Sequence, residues 1–503
     1  MKGGTPVVKR KAFAVLLAAC ALLLPAGGLA APLGHQSYTY NEYGESAPGP
    51  DPFGILAYLD GETLGCGAFR DLSDLCFGPE NRLYLADSGN NRIVVLDGSF
   101  SLAEVIGGVL INGALSPFRQ PSGVFAAADG TLYVADTMNA RVVQMDGAGN
   151  LLMEFGVPQS DLIAADFNYR PLRVCVDESG RLYVVAASVN DGILLMNPAG
   201  TFEGFLAAAR VNPDPIRMLW KRIATREQRS RMEDFVPVEY NSVELDAEGF
   251  IYATTAAVDE KVVIAEVEAG QGTEEGAVVR RLNMLGQDIL RRTGYFPQVG
   301  DVEDLRDTQP FFKGVSQIMD VAAGEDGCYY LLDNNRKRVF AYDQDGYMLF
   351  AFSGPGQAQG GFHTPSALAV RGNILAVADR GAGVVTVFER TAYGEAVYRA
   401  IAAYAGGEYG ASEAAWSQVL AFNANMDMAY AGMGKAAYRA GEYQKAMAYF
   451  ETANLKEWYG KAFEEYRKAV LKVWFGPVVL ILTGLILSAG IAKRLRRKRR
   501  DAS

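Results

Sequence analysis

The stretch Gly123 to Gly156, GVFAAADGTLYVADTMNARVVQMDGAGNLLMEFG, limits what this chain can fold into more than any other. It holds four short runs, GVFAA, TLYVAD, RVVQMD and LLMEFG, with turn signals at Asp129-Gly130, Asp136 to Ala140 and Gly147 to Asn150. Four strands of this length make one small sheet. Such a sheet cannot bury both faces alone and needs copies of itself to stack on. Copies are present: Asp74 to Gly107 begins DLCFGPENRLYLADSGNNRIVVLD, and Ile318 to Gly354 contains DVAAGEDGCYYLLDNNRKRVFAYDQDG. Weaker versions begin near Arg173, Ser242 and Ser366, which makes six units.

Four-stranded units repeated without intervening helices predict a β-propeller. The pattern LYLADSGNNRIVVLD resembles the NHL repeat, over roughly residues 36–392. The resemblance implies a mainly β fold, a six-bladed NHL-type propeller. It implies no activity, because the fold hosts binders and enzymes alike. Unit six lacks a clear fourth strand, since the sequence turns helical after Glu389. The N-terminal segment, with an edge strand at Ser37 to Glu42, is therefore expected to pair with unit six and close the ring. A seventh, partial blade is the alternative.

Thr391 to Val470 changes period. Gly407-Glu408-Tyr409 recurs 34 residues on as Gly441-Glu442-Tyr443, Ala414 as Ala448, and Trp416 as Phe450. This resembles the tetratricopeptide repeat, and implies a C-terminal α-helical hairpin array over 393–471. Its role is either to dock a protein partner or to space the propeller from a membrane.

The two ends bear on location. Residues 1–30 have a basic start, an apolar run and small residues at Gly28 and Ala30, the pattern of a signal peptide. Leu17 to Cys20 offers a second reading, a lipoprotein box that would lipidate Cys20. Residues 472–492 hold an apolar run, Val473 to Ala492, long enough to span a bilayer as one transmembrane helix. A basic tail, 493–503, follows it. Positive charge stays on the cytoplasmic side, so 31–472 is expected outside the cell, in a single-pass membrane protein. A net charge of −10 over 503 residues argues against nucleic acid as a partner.

Several side chains are candidates for chemistry. Asp87, Asp136, Asp333 and Asp379 each end a second strand, with Arg92 and Arg141 five residues after the first two. A catalytic acid is needed once, whereas an Asp that accepts backbone N–H groups in a tight turn is needed in every blade. These four are read as structural. The propeller is read as 31–392, with insertions at 207–240 and 287–317 expected to form a lid over one face. Arg217, Lys221, Arg222 and Arg226 are its basic, partner-facing residues, and an acidic run spans Asp301 to Asp307. Aligning the units on their second strands puts Asp74, Gly123, Arg173, Ser242, Asp320 and Ala367 at the mouth of the central channel. Asn241 would join them if the register shifts. Asp74, Arg173 and Asp320 then either plug the channel as an ion pair or bind a polar ligand such as a sugar.

Six-bladed lactonases of the gluconolactonase type hold a divalent cation with Glu, Asn and Asp. This ring offers two Asp beside Arg173, so no cofactor or metal is expected, and Ca²⁺ enters only if that hydrolase is the right reading. Amidating lyases on a similar propeller use several His with zinc. His35 and His363 are the only histidines, too few for a three-His site. There is no GxSxG. Cys66 and Cys76 are spaced so that a disulfide is neither required nor excluded. The reading is an extracellular, membrane-anchored binding or scaffold protein, like bacterial NHL-repeat proteins with a helical anchor segment. It would bind a carbohydrate or a protein, by analogy one of a sugar-transport system. The alternative is the lactonase-like hydrolase.

Overall fold

The computed structural model describes residues 37–500 apart from 164–166, 188, 190–191, 208–238, 257, 271, 274–275, 303–313 and 357–358. The signal segment, Cys20 and His35 lie outside the described residues. So do the lid residues Arg217, Lys221, Arg222 and Arg226.

Six antiparallel sheets stand around one axis, each with its first strand innermost. The first strands are Leu72–Phe77, Pro121–Ala126, Pro171–Val176, Tyr240–Leu245, Ile318–Ala323 and Pro365–Arg371, and each neighbours the next around a closed ring. Second strands such as Leu83–Asp87, Leu132–Asp136 and Tyr329–Asp333 are buried at every position. They are covered by a neighbouring blade on both faces, which is why LYLAD and YYLLD read as apolar runs without alternation. The rim is wetter: Leu102–Ile106, the fourth strand of blade one, exposes its three central residues.

The ring closes with chain from the N-terminus. Phe53–Asp60 pairs antiparallel with Val384–Arg390 and supplies the outer strand that blade six lacks. The first edge strand does something else. Tyr38–Tyr40 pairs with Met348–Phe352 and Ser46–Pro48 pairs with it in turn, so together they widen blade five to six strands. Tyr38 and Tyr40 each donate a hydroxyl hydrogen bond to Asp301, which fixes them there and not on blade six.

Blade four departs most from the repeat. Helix α1, Glu260–Ala269, is inserted between its second strand, Ile251–Thr255, and its third, Val279–Leu282. Asp259 caps α1 by accepting from Lys261 N–H at 2.9 Å. The described part of the 287–317 insertion lies against the side of the propeller, and 303–313 lie outside the described residues. It runs along the flank of blade five, with Thr293 N–H on Asp345 O at 3.0 Å and the Gln298 amide on Gly346 O at 2.8 Å. Further along, the Asp301 carboxylate meets Arg336 at 3.5 Å and Arg338 at 3.4 Å.

After blade six, α2 (Ala392–Ala405), α3 (Tyr409–Phe422), α4 (Asp427–Arg439) and α5 (Tyr443–Thr452) form two helical hairpins. Each turns at a glycine with positive φ, Gly407 at 78° and Gly441 at 82°, a conformation that a side chain would strain. The hairpins pack on the propeller in one continuous core. Val397, Tyr398, Trp416 and Met428 are buried with Phe53, Phe350 and Phe388. Then α6, Lys456–Arg500, runs 45 residues as one helix with Pro477 inside it. Its first turns dock through Ala462 and Trp458, the latter against Phe450 at 5.7 Å. Beyond Lys472, apolar side chains are exposed all round it: Val473, Leu480, Ile481 and Leu487 are each more than 60 % open. This is a candidate membrane span.

Candidate functional site

The first strands bring four of the expected residues together at the channel mouth. Asp74 of blade one accepts Val124 N–H of blade two at 2.8 Å. Arg173 of blade three lies 3.5 Å from Asp74 and donates to the Ser122 carbonyl of blade two at 2.9 Å. It also reaches across the axis to the Ser366 carbonyl of blade six at 3.3 Å. Asp320 of blade five accepts from Ser242 Oγ of blade four at 2.5 Å and from Leu368 N–H of blade six at 2.7 Å. Three side chains thus tie six blades into one connected polar network.

Gly123 and Ala367 are also where the register put them. A Cβ on Gly123 would come within 2.6 Å of the Leu172 carbonyl, so blades two and three approach as closely as they do only with glycine there. Asn241 is not in the network. Its amide donates to Ile318 O at 2.8 Å and its carbonyl accepts from Thr254 Oγ1 at 2.6 Å, which seals the joint between blades four and five.

Beneath this plug the channel holds a cavity of about 90 Å³. Glu244 lines it, with Cys76 and Cys175. No described residue donates a hydrogen bond to the Glu244 carboxyl. Sequence reasoning missed Glu244 because it stopped at the first channel-facing residue of each strand. The signal was there: Glu244 lies two residues after Ser242, on the same face of its strand.

Three carboxyls therefore share one guanidinium in an enclosed space. Burial pushes Asp74 up to about 7, against the pull of Arg173 and with the push of Asp320. Burial also raises Asp320, partly offset by Arg173 and by the Ser242 hydroxyl. Glu244 is held well above the usual carboxylate range by burial and by its two acidic neighbours. By surface, Glu244 is only half-buried, and what it exposes opens on the cavity. The direction of its shift stands, because a narrow channel solvates a charge less well than bulk water does.

Among the described residues no group of three or more His, Cys, Asp or Glu could hold a metal ion. The Arg173 guanidinium already stands against Asp74. The remaining candidates are structural. Asp87 accepts Arg70 N–H, Asn90 and Arg92, and Asp136 accepts Arg119 N–H, Asn139 and Arg141. Asp333 accepts Gln317 N–H and Asp379 accepts Thr364 N–H. Each one pins the loop entering its blade to the turn after its second strand. Exposed His363 meets Asp379 only through its backbone N–H. Cys66 and Cys76 are both free thiols.

This geometry defines the chain as a six-bladed β-propeller with a polar hub, followed by a helical region. Residues 69–96, most of blade one, match the NHL repeat family, so the propeller is one that carries NHL repeats. No curated protein matches the chain. Solved propellers resemble it at low identity. A gluconolactonase from Xanthomonas campestris has 10 % identity and a TM-score of 0.41, covering 73 % of this chain and 99 % of its own. A regucalcin from Agrobacterium tumefaciens, described as calcium-binding, has 14 % identity and a TM-score of 0.38 over 67 % and 94 %. A virginiamycin B lyase from Staphylococcus aureus has 9 % identity and a TM-score of 0.38 over 70 % and 87 %. Likenesses this distant assign no activity to the chain.

Proposed function

We propose that this chain is a membrane-anchored binding protein whose propeller takes a small polar ligand, in the first instance a carbohydrate, at the mouth of its axial channel. Glu244 carries this reading. It is a carboxyl that no described residue satisfies, set beside Asp74, Arg173 and Asp320 in a cavity of about 90 Å³. Sugar hydroxyls both donate and accept, so one ligand group can serve the carboxyls and the guanidinium alike.

The exposed apolar length of α6 supports the anchor, and Lys493 to Arg500 beyond it favour a cytoplasmic end with the propeller outside. A carbohydrate ligand outside the cell would in turn suit a sugar-transport system as the protein partner. A metal-dependent hydrolase is the second reading. It is favoured by one observation: a carboxyl near pKa 7, Asp74, faces a channel, where an acid–base group would be placed.

The test is thermal unfolding of the full chain in detergent, with and without Ca²⁺, against panels of sugars and lactones. A sugar-dependent rise in Tm that Glu244→Gln removes is the expected result. Glu244 is the variant of choice because it holds no blade in place. Lactone turnover that needs Ca²⁺ would replace the binding reading with the hydrolase. No response to any sugar would leave the hub as a plug and the propeller as a scaffold.

A further inference from the structure

Helices α2, α3 and α4 cover one turn of the propeller, the link between the third and fourth strands of blade five, and frame a partly open pocket of about 40 Å³ there. Asp343 opens that turn. Its Oδ1 accepts Asp345 N–H at 3.0 Å and Tyr347 N–H at 2.8 Å. Asp97 and Asp146 do the same in blades one and two, and Asn197 and Asn283 in blades three and four. Blade five differs because the helices bury its turn: Asp343 is only 6 % exposed.

Asp343 Oδ2 receives no hydrogen bond from a described residue. Lys435 turns instead to Asp345, at 3.0 Å, and Asp345 also meets Arg291 at 3.0 Å. Across the same cavity stands Trp416, 2 % exposed. Its indole N–H finds no acceptor among the described residues. Gly432 lets it sit there, since a Cβ at that position would fall 2.2 Å from Nε1. An indole donor and a carboxylate acceptor, neither bonded to a described residue, therefore line one small pocket. A ligand group that both donates and accepts can take the place of water at the two.

We propose that this cavity binds a primary carboxamide. Its carbonyl accepts from Trp416 Nε1–H and its NH₂ donates to Asp343 Oδ2, with the alkyl end against Ile401 and Met428. A neutral group fits because the two cations Lys435 and Arg291 already face the two carboxyls Asp343 and Asp345. At roughly 10–15 Å³ per water-sized volume, 40 Å³ holds about three or four heavy atoms, enough for an amide head with the last carbon of its alkyl end at the pocket's open side, and too few for a sugar ring. This site is therefore independent of the channel. The carboxamide belongs either to a free small amide or to an Asn or Gln side chain on a peptide.

The probe is propanamide, titrated into the full chain in detergent with ¹⁵N-labelled indoles. There are four tryptophans, and the Trp416 resonance is identified by its loss in Trp416→Phe. A saturable shift of that resonance is expected. Asp343→Asn is the deciding variant. Asn makes the same turn in blades three and four, so the fold is kept while an NH₂ replaces the acceptor, and affinity should fall at least fivefold. Gly-Asn-Gly binding tighter than propanamide would mark a peptide as the source; weaker binding would mark a free amide. No saturable Trp416 shift overturns the site. Propan-1-ol binding as tightly as propanamide, unaffected by Asp343→Asn, overturns the carboxamide.

Discussion

Replacing Arg173 by Met keeps most of the side chain's volume and removes every bond it makes to blades one, two and six. Asp74 is then left buried with like charges for company. Breaking a buried pair in this way costs about 3–5 kcal/mol, and denaturant unfolding of the variant should show it. Pairing Arg173→Met with Asp74→Asn should recover part of the loss. The carboxyls themselves predict a pH dependence. Asp74 is raised in the folded chain, to about 7, from an ordinary value of 3.8. Its contribution is thus complete below the unfolded value and is lost as pH rises through about 7. Asp343, raised to about 6, acts in the same direction. Stability should fall between pH 5 and 7.5, with a slope of up to about 1.4 kcal/mol per pH unit for each proton released. Tm measured across that range checks it, and Asp74→Asn should flatten the curve. Much of this hub could be read from sequence, because a repeat fixes register and register fixes which residues meet. Asn241 could not be placed that way: its neighbour Ser242 faces the channel, so alternation along the strand turns Asn241 to the blade joint.

At the scale of elements, the strand Phe53–Asp60 decides whether the ring closes. Phe53 is fully buried, stacked on Phe352 at 5.0 Å and beside Tyr398 of α2 at 6.4 Å. Phe53→Ala should cost about 3–5 kcal/mol, read by urea unfolding, and should loosen the helices along with blade six. Removing residues 37–60 should bare the edge of Val384–Arg390 and drive association, visible by light scattering. The shortage of a fourth strand in unit six was plain in the sequence, and so was its remedy. The fate of Tyr38 to Tyr40 was not, because a three-residue strand carries no register of its own. A long-range contact, Asp301, decides where it lies. The interruption of blade four was hidden for a different reason. Helix α1 interrupts it after the second strand, and VVIAEVEA carries as many β-branched residues as a strand would.

At the scale of the whole molecule, the hairpins are part of the propeller's own core, and α6 is fastened to them. Ending the chain at Lys472 should release it from the membrane pellet into the soluble fraction with the propeller still folded. The full chain should stay in the pellet through a high-salt wash, since an apolar span is not held by charge.

The unbroken course of α6 has a mechanical consequence. From Lys456 to Lys472 it rises about 25 Å before the apolar stretch begins. Short-range ion pairs brace it there, Lys461 with Glu457 and Lys468 with Glu464. On the membrane anchor proposed above, the disc rides on a mast and not on a string. Its standoff is set by the number of turns, and inserting one turn of helix should lift it about 5.4 Å and swing it through one full circle. Adding two residues instead should lift it only about 3 Å and swivel the disc by about 200°, presenting the opposite rim to anything fixed in the same membrane.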